Sequence, residues 1–205
     1  MTSAGAWECV SLIHGFLANP CMLAVLSRRL DDCGYLPKPW GYRDMRNSIL
    51  VHAESFAREL EALDADRAVG TVHLVTHSMG GIVARAALDR YRPRKLGRIV
   101  MLAPPNRGSF VADRMAATVG HLFRPVAELT TSADSLVNSL GMPRDVDVGV
   151  IAATRDALVA PESTRPAVPH AHASVPCLHS SLLFRRDAAQ LVATFLATGG
   201  FPAAS

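Results

Sequence analysis

The chain has 205 residues, 49% hydrophobic and 19% charged, with a formal net charge of +3. That length supports one sizeable core over 1–205 rather than two, and the composition excludes a disordered chain. No apolar run approaches the roughly 20 residues that a membrane-spanning helix requires, so stable membrane insertion is not expected.

The opening residues carry neither a basic segment nor a long apolar run, unlike a secretory leader, and this predicts cytoplasmic residence. Trp7 to Ile13 reads as a first strand that delivers His14-Gly15-Phe16 into a loop. Met22, Leu23, Val25, Leu26 and Leu30 give the first helix an apolar face, which Gly34 closes. A shorter strand over 35–40 precedes a second helix over 48–63. The third strand, 71–76, runs directly into Thr76-His77-Ser78-Met79-Gly80 and a helix over 79–90, in which Ile82, Val83, Ala86 and Ala87 can face a sheet. Arg90, Arg92, Arg94, Lys95 and Arg98 then form a basic cluster. Without interleaved aromatics it reads as a solvated helix end, and no nucleic-acid partner is expected.

A fourth strand over 98–103 is followed by a break in the alternation. The stretch 106–145 is longer than an ordinary connection and holds helix-like segments around Met115 and Leu136. It reads as a cap, the alternative being a helical excursion with no role in binding. Strands over 146–153 and 173–177 and a final helix over 187–197 complete the chain. Alternating short strands and longer helices predict an α/β fold, with a mostly parallel six-stranded sheet and helices on both faces. Cys9, Cys21, Cys33 and Cys177 are too few and too irregular for a disulfide framework.

The sharpest chemical signal is Ser78, placed where an apolar strand turns directly into a helix. Such a turn projects the central side chain, needs small neighbours, and leaves the next backbone N–H free at a helix start. Gly80 meets that need on one side; Thr76 replaces the glycine of Gly-x-Ser-x-Gly on the other and implies more room between strand and helix. Serine is also a favoured N-cap, so the competing reading is a Ser78 that merely caps its helix.

In a doubly wound sheet the first and third strands are neighbours. Gly15 and Phe16 then lie beside Ser78, where the N–H groups of Phe16 and Met79 can form an oxyanion hole. His14 is expected to brace that loop at the edge of the substrate site. Of the later histidines His121, His170, His172 and His179, the last follows the final strand and shares the catalytic edge of the sheet. His77 should point away from Ser78. Asp156, just past the fifth strand, is the carboxylate placed to orient His179. The order Ser78, Asp156, His179 is that of α/β-hydrolases.

His14-Gly15-Phe16, Thr76-His77-Ser78-Met79-Gly80-Gly81, the run from Leu102-Ala103-Pro104-Pro105-Asn106 to Ser109, and Phe195-Leu196 through Phe201 resemble the bacterial lipase/esterase-type α/β-hydrolases. The resemblance implies a minimal α/β-hydrolase fold that starts at what is an internal strand of larger members. It also implies action on carboxylic esters without a cofactor, and the roles given to Asp156 and His179. Ala157-Leu158 stand where a glycine is more usual after the aspartate.

The expected activity is a serine esterase or lipase acting on a small-molecule or lipid ester through an acyl-enzyme. Met115, Leu122, Phe123, Leu129 and Leu136 are the candidate acyl-pocket residues. An acyltransferase or thioesterase would use the same residues. A metal-dependent hydrolase built on His170, His172, Cys177 and His179 is the rival of a different class, and a catalytically dead binding protein on the same fold is a third. Composition and pattern carry no signal for oligomeric state.

Overall fold

The computed structural model describes residues 6–42, 46–120 and 123–202. Six parallel strands lie in the order β2-β1-β3-β4-β5-β6: β1 (Trp7–Ile13), β2 (Leu36–Trp40), β3 (Val69–His77), β4 (Leu96–Leu102), β5 (Val148–Ala153) and β6 (Ala171–Val175). The chain runs from β1 outward to β2, then crosses back over β1 to β3. Loops leaving β1 and β3 therefore diverge, and the register pairing Ile13 with Thr76 brings their ends side by side.

Period-2 alternation divides the core between the two faces. Cys9, Ile13, Val72, Leu74, Ile99 and Met101 pack under α2 (Ile49–Ala65) and α3 (Met79–Leu88). Val10, Leu12, Val75, Val100, Leu102 and Ile151 pack under α1 (Ala24–Asp31) and α7 (Arg186–Thr198). Pro37 and Pro39 fit β2 because it is an edge strand, and prolines two residues apart withhold their missing donors on the same outer side.

Strand ends shift by a residue or two from expectation, and two differences have a clear local cause. The sixth strand ends at Val175 instead of continuing through 177, since Pro176 has no N–H for the ladder and Cys177 N–H turns back to the Val175 carbonyl at 2.9 Å. The stretch 106–145 holds three short helices rather than two: α4 (Phe110–Val119), α5 (Arg124–Glu128) and α6 (Leu136–Ser139). The additional one is α5, whose Pro125 lies in its first turn, where a missing N–H is tolerated.

Two polar anchors tie this excursion to the helices that cover the sheet. Arg85 of α3 is buried and spends its five donors on the carbonyls of Gly141, Asn106, Val137 and Leu140 and on Asn106 Oδ1. The Glu128 carboxylate at the end of α5 accepts from Ser48 Oγ at 2.5 Å and Ile49 N–H at 2.7 Å, which places a negative charge on the N-terminus of α2. No helix among the described residues is long and apolar enough to cross a membrane.

Candidate active site

Ser78 stands between β3 and α3 with φ 53° and ψ −129°, backbone angles that a non-glycine residue adopts at a cost of roughly 1–3 kcal/mol. Its side chain makes no capping bond to the helix, so the N-cap role does not account for it. Ser78 N–H donates to the Leu102 carbonyl at 2.8 Å, which holds the turn against β4. The next residue, Met79, opens the helix, and helix geometry leaves its N–H without an intrahelical acceptor.

Three glycines make the turn possible. A Cβ on Gly80 would lie 2.6 Å from the His14 carbonyl oxygen and 2.7 Å from that of Ile13, so α3 reaches β1 only through a residue without a side chain. The room that Thr76 needs comes from Gly81, where a Cβ would stand 3.2 Å from Thr76 Oγ1. On Gly15 a Cβ would stand 2.8 Å from Ser78 Cβ, so the loop after β1 closes directly onto the serine. His14 is fully buried and braces that loop: its Nδ1 bonds the Gly15 carbonyl at 2.8 Å, and its Nε2 accepts from Tyr42 N–H at 3.3 Å. It is not among the residues that line the cavity beside Ser78.

At the far side, the loop after β5 carries Asp156 and the loop after β6 carries His179. His179 Nδ1 and Asp156 Oδ2 are 2.6 Å apart, with only 9% and 1% of the two side chains exposed. Asp156 Oδ1 accepts from the N–H groups of Leu158 and Val159, at 2.8 and 3.0 Å. Burial alone would push the Asp156 carboxyl up; the His179 bond and these two N–H groups outweigh it and hold the group below its usual range. The Ala157-Leu158 sequence is no obstacle, since the Leu158 backbone itself helps to hold the carboxylate.

A cavity of about 390 Å³ joins these parts, with Ser78, His77 and His179 on its floor and Phe16, Leu17, Met22, Val111, Met115, Val126, Leu129 and Leu158 among its walls. Of the acyl-pocket candidates, Met115 and Leu129 line this cavity, while Phe123 and Leu136 pack against the core, Phe123 edge-on against Phe16 at 6.2 Å between ring centroids. The excursion turns α4 and the end of α5 toward the opening, whereas α6 lies beside Arg85. Leu122 and His121 lie outside the described residues.

His77 does not point away from the site. Alternation turns it to the opposite sheet face from Thr76, but that is the face on which the loop after β6 brings His179 down. The two imidazole centroids are 4.8 Å apart. Sequence gives no signal for this contact, which depends on where a loop a hundred residues later descends.

The metal reading loses its geometry. His170 Nδ1 bonds the Val168 carbonyl, His172 Nε2 bonds Thr164 Oγ1, and His179 Nδ1 bonds Asp156 Oδ2. Among the described residues no three His, Cys, Asp or Glu side chains are grouped to hold a metal ion.

A family model described as the PGAP1-like alpha/beta domain matches residues 53–173, more than half of the chain, from within α2 to within β6. The chain belongs to this family. The PGAP1-like match takes in Ser78 and Asp156 and stops short of His179. A curated relative, the "Putative esterase/lipase 3" of Mycoplasma pneumoniae, is 30% identical over 105 residues, 48% of this chain and 37% of that protein. The chain thus corresponds to little more than a third of that relative. Among solved structures, Aspergillus fumigatus lipase B superposes with a TM-score of 0.75 at 16% identity, over 95% of this chain and 54% of the lipase. The mature lipase BlEst2 of Bacillus licheniformis gives 0.70 at 15% identity, over 95% and 92%. These likenesses are of fold, and the fold is that of the α/β-hydrolases.

Proposed function

We propose that this PGAP1-like chain is a serine hydrolase of carboxylic esters that works through an acyl-enzyme on Ser78. The observation that carries the reading is the buried His179–Asp156 pair at 2.6 Å, opening onto the same apolar cavity as a serine held at φ 53°. A cap of helix would not need that backbone, and a surface histidine would not need a buried carboxylate.

In this mechanism Asp156 fixes the tautomer in which His179 Nδ1 carries the proton and Nε2 is free to accept one. His179 takes the Ser78 Oγ proton as the oxygen attacks the ester carbonyl. The N–H groups of Phe16 and Met79 receive the oxyanion, and His179 returns the proton to the leaving alcohol. Water, activated by the same imidazole, then releases the acid. The walls supplied by α4 and α5 support an apolar acyl chain as ligand, with residues 106–145 acting as a cap over a single catalytic domain. Four cysteines standing as free thiols support a reducing compartment such as the cytoplasm.

The test is labelling with a fluorophosphonate, read by intact mass, beside hydrolysis of p-nitrophenyl esters. One adduct on the wild type, with neither adduct nor turnover in a folded Ser78→Ala variant, is the expected result. Undiminished labelling of Ser78→Ala removes the serine from the chemistry. Thiol or alcohol acceptors added to the same assay separate hydrolysis from acyl transfer.

A further inference from the structure

His77 has no part in the acyl-transfer scheme, yet it is buried directly beneath the residue proposed as its base. Its ring lies tilted at 54° on the His179 ring, and its Nε2 stands 3.3 Å from the His179 carbonyl oxygen. Among the described residues its buried Nδ1 has no hydrogen-bond partner. An orphaned polar atom of that kind is destabilising, a cost that a leucine or phenylalanine in the same space would avoid. What an apolar side chain cannot supply is a donor to the His179 backbone.

We propose that His77 is a positioning residue: its Nε2–H, bonded to the His179 carbonyl, and its ring, laid against the imidazole, lock the base in register with the adjacent Ser78. Asp156 fixes one edge of the His179 ring from the loop after β5. His77 fixes the backbone and one ring face from β3, the strand that also ends in the nucleophile, so movement of the loop after β6 cannot separate base from serine without breaking this contact. Burial, and next the neighbouring His179, hold the His77 pKa down to about 3, so it remains an uncharged donor beside the imidazolium that forms in turnover.

The inference rests on the hydrolase reading, and its test distinguishes the two. His77→Gln and His77→Met have side chains of nearly equal length and differ in whether a donor reaches the Nε2 position. We expect Met to lower kcat for p-nitrophenyl acetate and the rate of fluorophosphonate labelling by about tenfold to a hundredfold, with KM within about twofold, as expected for a displaced base. Gln should restore both to within about threefold of wild type, and circular dichroism should show both variants folded. A Met variant with wild-type kcat overturns the proposal, as does a Gln variant as impaired as Met. Wild-type protein that is never labelled overturns the hydrolase reading and this inference together.

Discussion

Asp156 meets His179 with one carboxylate oxygen while the other is held by two backbone N–H groups of its own loop, so the acid is anchored before it orients the base. In Asp156→Asn the amide oxygen can keep the backbone bonds, which leaves the amide N–H₂ facing Nδ1. The histidine must then carry its proton on Nε2, where it cannot accept from Ser78. Turnover should fall by up to about four orders of magnitude with the fold intact. Near-wild-type kcat in this variant would assign the role to another acid.

Buried histidines predict the acid limb of stability. His77 and His172 are pushed down to about 3 and about 4, chiefly by burial, and His14 and His73 are lowered for the same reason. Each stays neutral when folded and takes a proton when unfolded, so its contribution is complete above the ordinary value of about 6.5 and is lost as pH falls toward the folded value. Urea unfolding at pH 7.5, 6, 5 and 4 should show a steady loss, of which His77 alone accounts for about 3 kcal/mol by pH 4. His77→Gln should make the slope shallower by about one proton over that window. An unchanged slope would mean that His77 titrates alike in both states.

Arg85 is a buried cation that binds the excursion to α3 through carbonyls alone. Arg85→Met should cost about 3–5 kcal/mol, since it leaves buried carbonyl oxygens unsatisfied. Trypsin should then cut after Arg107 or Arg114 well before it cuts elsewhere. Wild-type resistance together with an unchanged urea midpoint would show that the anchor is dispensable.

Gly15 and Gly80 should separate catalysis from folding. Gly15→Ala places a methyl 2.8 Å from Ser78 Cβ but no closer than 3.2 Å to any other atom, so turnover should fall about a hundredfold with the smaller loss of stability. Gly80→Ala drives a methyl into two backbone carbonyls that cannot yield, and about 1–3 kcal/mol of stability should be lost along with activity. Equal thermal midpoints for the two variants would contradict this division.

Chain-length preference should follow the cavity walls. Met115→Trp and Leu129→Phe are expected to shift p-nitrophenyl ester preference toward shorter acyl groups, while Leu136→Phe, outside the cavity, should leave the profile unchanged. A profile insensitive to both wall substitutions would remove α4 and α5 from the acyl site.

The sequence by itself determined the alternation of strands and helices, the two-faced core and the crossover at β1, because apolar periodicity and Gly or Pro punctuation are local signals that burial then obeys. Ser78 was legible for the same reason: a strand leading into a serine with glycines two and three residues later is a local pattern. Thr76 was legible as a departure, but not that Gly81 would make room for it, since that contact depends on how closely α3 packs on the sheet. Asp156 and His179 were placed by their position just past strands, and only the tertiary structure brings Oδ2 within 2.6 Å of Nδ1 across 23 residues. Of the five acyl-pocket candidates, hydrophobicity marked Met115 and Leu129 no differently from Phe123 and Leu136. Which of them reach the cavity was decided by the anchors at Arg85 and Glu128, which set how the excursion lies over the sheet. His77 shows the limit most clearly: alternation fixed the face it occupies, but the meaning of that face came from a loop about a hundred residues away in the chain.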